Sequence, residues 1–122
     1  MKIRMLLSLL AAIAAAPAAA EPCTTAASRN TITETLRRAA EDRPVNLTFQ
    51  TRAEGVKMSD NLKSKYPDAM TVMLQNEFRQ LIVREDRFEV ILWPATHPER
   101  LTVPFAAIRA FWDNATLKCS AG

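Results

Sequence analysis

From Val45 the apolar positions fall on every second residue. Val45, Leu47 and Phe49 alternate with Asn46, Thr48 and Gln50, the pattern of a strand with one buried face. The preceding stretch follows a different period. Between Thr25 and Glu41, Ile32, Leu36 and Ala39 recur at helical spacing while Arg29, Glu34, Arg37, Arg38 and Glu41 lie off that line, so a helix with one narrow apolar stripe is expected, closed by Pro44. Glu54-Gly55 turns the chain after the first strand. Ser59 to Lys65 predicts a short helix, capped by the Ser59 hydroxyl and stopped before Pro67. Strands are expected over Met70–Asn76 and Phe78–Val83, followed by the polar turn Arg84-Glu85-Asp86-Arg87. In Phe88–Trp93, Phe88, Val90 and Leu92 face one way and Glu89, Ile91 and Trp93 the other. Apolar residues on both faces predict a central strand. Pro94 to Pro98 makes a stiff connection, Leu101, Val103 and Phe105 resume the alternation, and Ile108–Trp112 is the last apolar run. The expected fold is therefore mainly β with an N-terminal helix (α+β): a small, strongly bent antiparallel sheet or open barrel with the helix laid against it.

The N-terminus reads differently. Lys2 and Arg4 precede an apolar run, Met5 to Ala16, interrupted only by Ser8; Pro17 breaks it and Ala18-Ala19-Ala20 supplies small residues. This is the layout of a secretory signal peptide, and the run is too short for a stable membrane-spanning helix. The residues before Cys23, Ala20-Glu21-Pro22, lack the small-residue box that lipid attachment needs. Cleavage near Ala20 is expected to release a single domain over residues 21–122, placed in the periplasm or secreted, with no membrane attachment.

Charge changes the picture little. Without Lys2 and Arg4 the 16 basic residues become 14 against 13 acids, and the net charge of +3 falls to about +1. Charges of both signs are interspersed, an ordinary solvated surface and not the concentrated basic face of a nucleic-acid binder. Cys23 and Cys119 stand at opposite ends of the released chain, with a single histidine for company, which argues against a redox pair or metal site. In an oxidising compartment they would form a disulfide stapling the termini; two separate buried thiols are the alternative.

Catalytic constellations are hard to assemble from these residues. His97, the one imidazole, sits beside Pro98 with no serine or cysteine nearby to act as its nucleophile. The acids Glu77, Glu85, Asp86, Glu89 and Glu99 are spaced as ion-pair partners of neighbouring arginines. With so few glycines no phosphate-cradling loop can be built. No enzyme activity, metal or cofactor is expected.

Four segments, in order, carry a resemblance. They are Leu47-Thr48-Phe49-Gln50-Thr51-Arg52-Ala53-Glu54-Gly55-Val56, Tyr66-Pro67-Asp68-Ala69-Met70-Thr71-Val72-Met73-Leu74-Gln75, Arg87-Phe88-Glu89-Val90-Ile91-Leu92, and Pro98 to Ile108 with its Val103-Pro104-Phe105-Ala106-Ala107-Ile108 run. Over about Leu36 to Asp113 the chain resembles the stringent starvation protein B family. The resemblance implies an Sm-like or SH3-like barrel preceded by a helix through which subunits dimerise. It also implies a groove that takes the degradation tag of rescued nascent chains for delivery to the ClpXP protease. By position, Met73, Gln75, Leu92, Trp93 and Val103 are the candidates to line that groove, and the expected ligand is an extended peptide or protein C-terminus.

Three features depart from that family. Its members are cytosolic, whereas a signal peptide is expected here. Its long acidic tail with a docking segment finds no counterpart before Gly122. Its glycine-containing turn reads Trp93-Pro94-Ala95-Thr96-His97, residues that cannot adopt glycine's positive φ at the same cost. The reading is thus an exported, non-enzymatic peptide-binding relative that does not itself deliver substrates. The alternatives are a cytosolic ClpXP adaptor whose N-terminus only mimics a signal, or an envelope interaction protein that kept only the fold.

Overall fold

The computed structural model describes residues 21–39, 43–74, 78–92 and 98–120. The leader expected over residues 1–20 lies outside them. Helix α1 spans Ala26–Arg37, and the Thr25 hydroxyl caps it by accepting from the Ser28 N–H at 3.1 Å. It ends four residues before the expected Glu41: the Arg38 N–H donates to the Thr35 carbonyl and the Ala39 N–H to the Leu36 carbonyl, both at 3.1 Å, and Ala39 is already non-helical. Ile32 and Leu36 are buried as the stripe required, joined by Ser28 and Thr35. These short polar residues let the helix sit close to the strands beneath.

Two antiparallel sheets follow. Strands β1 (Val45–Gln50), β2 (Ala69–Leu74), β6 (Ile108–Asp113) and β7 (Thr116–Ser120) form one, in the order β2-β1-β6-β7. Strands β3 (Phe78–Val83), β4 (Arg87–Leu92) and β5 (Glu99–Pro104) form the other, in sequence order. β4 is central, as its two apolar faces require. Phe88, Val90 and Leu92 point into the core, while Glu89 and Ile91 stay half-buried on the other face. A short helix, α2 (Asp60–Lys65), is capped by the Ser59 hydroxyl and leads into β2. The chain passes from one sheet to the other through a single 3-10 turn, Phe105–Ala107, where the alternation alone predicted continuing strand. Pro104 precedes this turn at φ −65°, the value its ring imposes.

One core joins the layers. Val45, Leu47, Phe49, Phe88, Leu101, Val103, Phe105, Ile108 and Phe111 are at most 1 % exposed and form a single cluster with Ile32 and Leu36 of α1. The sheets share side chains across this core, but among the described residues no strand hydrogen-bonds both, so the barrel stays open. Backbone bonds in both directions between Lys57 and Thr102, 3.0 and 2.9 Å, cover the outer edge of β5. On β6 one extra residue, Arg109, bulges between the pairs Thr48–Ala110 and Phe49–Ile108. The bulge turns its guanidinium along the sheet to donate to Gln50 Oε1 at 2.6 Å.

Cys23 and Cys119 are joined as a disulfide, with Cα atoms 5.0 Å apart across a sequence separation of 96. The Ser120 N–H donates to the Glu21 carbonyl beside it. The N-terminal segment is thereby fastened along β7, a strand that the apolar pattern did not reveal.

Candidate functional site

The side of β2 turned away from β1 is the feature best placed to meet a ligand. Thr51 and Asp68 stand opposite each other just beyond the β1–β2 ladder, and the Thr51 N–H donates to the Asp68 carbonyl at 3.0 Å. In an antiparallel ladder hydrogen-bonded pairs alternate. Counting from that pair, Met70, Val72 and Leu74 turn their backbone groups toward β1, and Ala69, Thr71 and Met73 turn theirs outward. The same three outward residues carry the exposed side chains of the strand, whereas Met70, Val72 and Leu74 are buried. The parity is confirmed at Thr48 and Thr71, whose hydroxyls meet at 2.8 Å, as the closer side chains of a non-hydrogen-bonded pair allow.

Among the described residues β2 has only β1 as a strand neighbour. β3 is the comparable edge of the second sheet, but it is irregular. Its pairing slips between Arg79 and Ile82, and Gln80 takes φ 51°, a left-handed conformation in mid-strand. A bulge of this kind spoils a strand edge as a template. β2 keeps an unbroken register with β1 over all six residues.

The groove positions expected from sequence separate on this framework. Met73 is 58 % exposed on the outward face of β2. Leu92 at 6 % and Val103 at 0 % belong to the core cluster, packed inside β4 and β5. Gln75 and Trp93, with the turn Pro94–His97, lie outside the described residues. Met73 is therefore the described candidate that a ligand reaches without disturbing the core. Sequence reasoning passed over Ala69 and Thr71; the alternation of Ala69–Leu74 was a signal for them, but nothing in it marks β2 as an edge.

Charge on the second sheet is held in local pairs. Arg84 Nε donates to Glu89 Oε2 at 2.8 Å and Arg87 Nε lies 3.4 Å from the same oxygen. The Arg84 hydrogen bond, aided by the Arg87 charge, holds the Glu89 carboxyl below the usual carboxylate range. Among the described residues, no group of three or more His, Cys, Asp or Glu side chains is placed to hold a metal ion, and no helix is long and apolar enough to cross a membrane.

The described residues form a small α+β body of two open antiparallel sheets, with a capped helix against the core and an exposed strand edge. The family model of stringent starvation protein B matches residues 22–118, and the chain belongs to that family, a family of adaptors without catalytic activity. No curated protein matches the chain.

Proposed function

We propose that this protein is an exported peptide-binding member of its family, non-enzymatic, which captures an extended peptide or protein C-terminus by adding it as a strand to β2. The observation that carries this reading is the regular, outward-facing edge at Ala69, Thr71 and Met73. A guest strand would exchange backbone hydrogen bonds with Thr71 and pack a side chain on Met73, an adaptable, polarizable contact. Gln75, the neighbouring candidate in sequence, lies outside the described residues. The Cys23–Cys119 disulfide supports a site of action in an oxidising compartment, as does the signal-like stretch ahead of Pro22.

Capture on β2 needs no second copy of the chain. The exposed face of α1 carries Arg29, Asn30, Glu34, Arg37 and Arg38, so a dimer made through this helix has little apolar surface to bury.

The test is a titration with a labelled degradation-tag peptide. Thr71→Pro deletes the outward N–H while leaving the bonds of Met70 and Val72 to β1 intact, the setting in which an edge strand tolerates proline. Thr71→Val removes the hydroxyl and keeps the N–H. Loss of one well-formed backbone hydrogen bond and of the strand's fit should weaken binding by Thr71→Pro about tenfold, while Thr71→Val binds like the parent. Equal affinity for all three proteins, or no binding by any, removes the edge-strand reading.

A further inference from the structure

At the far end of the β1–β2 pair from Met73 lies a pocket of about 410 Å³ lined by Thr51, Arg52, Ala53, Val56, Lys63 and Pro67. We infer that it is a site for an organic carboxylate with a short aliphatic stem, separate from the β2 edge and not dependent on it. Two cations line it and no acid does. Arg52 is held in place: its Nε donates to the Pro67 carbonyl at 2.9 Å, which leaves its terminal nitrogens as donors. One of these lies 3.4 Å from Asp68 Oδ1, but both side chains are more than three-quarters exposed, where such a pair is weak and readily exchanged. Lys63 stands on the last turn of α2 and makes no ion pair among the described residues.

A second observation points the same way. Thr51 is 5 % exposed, and its hydroxyl is buried with no hydrogen-bond partner. An unsatisfied buried hydroxyl is costly to keep. One staggered step of χ1 carries a threonine hydroxyl to another side of Cβ, and a rotamer facing the pocket would present a donor to an anion seated between Arg52 and Lys63. The remaining walls, Ala53, Val56 and Pro67, offer apolar surface that inorganic phosphate cannot use and an aliphatic acid can. The occupant that matches both halves is a carboxylate on a small apolar residue, the chemistry of a free peptide C-terminus ending in alanine or of a short-chain acid.

The probes are N-acetyl-alanine, its methyl amide and inorganic phosphate, titrated against the isotope-labelled full chain with the amide resonances of Thr51, Ala53, Val56 and Lys63 followed. The acid should shift these resonances saturably, the amide should not, and phosphate should bind more weakly than the acid. Lys63→Gln, an exposed change that spares the fold, should reduce the acid's affinity about tenfold, the worth of one charge-assisted hydrogen bond. Thr51→Val should reduce it as well. Shifts equal for acid and amide, phosphate binding as tight as the acid's, or a Lys63→Gln protein that binds like the parent would each overturn the assignment. None of these results depends on strand addition at Thr71, so the two sites succeed or fail separately.

Discussion

Single residues set the local geometry in ways that side-chain chemistry explains. Gly55 takes φ 91° in the turn after β1, and a Cβ built there would lie 2.8 Å from Cγ of Pro104. Both the left-handed backbone and the close approach to the proline ring demand glycine. Gly55→Ala should therefore lower stability by at least ~1–2 kcal/mol in urea denaturation, because the strain is native-state and outweighs any loss of unfolded-state freedom. A midpoint equal to the parent's would show that the turn relaxes freely. Asn114, at φ 58° in the turn between β6 and β7, uses the tolerance of a short polar side chain for the same backbone region. Thr48 and Thr71 pair their hydroxyls across β1 and β2, in keeping with the six-pair register that leaves Thr71's backbone facing outward.

At the scale of elements, the alternation was a reliable guide where one face is buried. β1, with one buried face, occupies the residues expected of it; β3 does so too although none of residues 80–83 is fully buried, and α2 begins directly after its expected cap. The central place of β4 followed from Ile91 behind the row Phe88, Val90 and Leu92. Elements whose identity depends on distant partners were not legible. β7, Thr116–Ser120, buries only Cys119 fully, so it shows no apolar period, and it becomes a strand by pairing with β6 and by its disulfide. Phe105 keeps the phase of Leu101 and Val103 but leaves the strand, because the chain must change sheets there. The site was legible only in part for a related reason. Position along the family pattern drew Leu92 and Val103 toward the groove, yet in the fold these side chains fill the core. Edge status, which singles out Ala69, Thr71 and Met73, is a property of what is not beside a strand and leaves no mark in its own residues. The expected proline tolerance at Thr71 belongs to this scale, since it tests the edge and not the side chain.

The molecule as a whole depends on joining its ends. The disulfide closes a loop of nearly the whole domain, which in the chain-entropy model stabilises the fold by about 4–5 kcal/mol. Reduction should lower the melting temperature by ~10 °C or more. Equal melting curves with and without reductant would mean that the pair contributes nothing in solution. With the N-terminal segment fastened to β7 and the Lys57–Thr102 bonds covering β5, two of the four outer edges are occupied. β3 is distorted by its bulge, and β2 is left as the one regular edge among the described residues. That distribution is the physical basis for reading the protein as a module for an added strand. The direct measurement is amide hydrogen exchange with and without an extended tag peptide. Strand addition predicts that Thr71 and Met73, whose N–H groups point outward, gain protection, while Met70, Val72 and Leu74, already bonded to β1, change little. Uniform protection along β2, or protection that spares Thr71 and Met73, would contradict it.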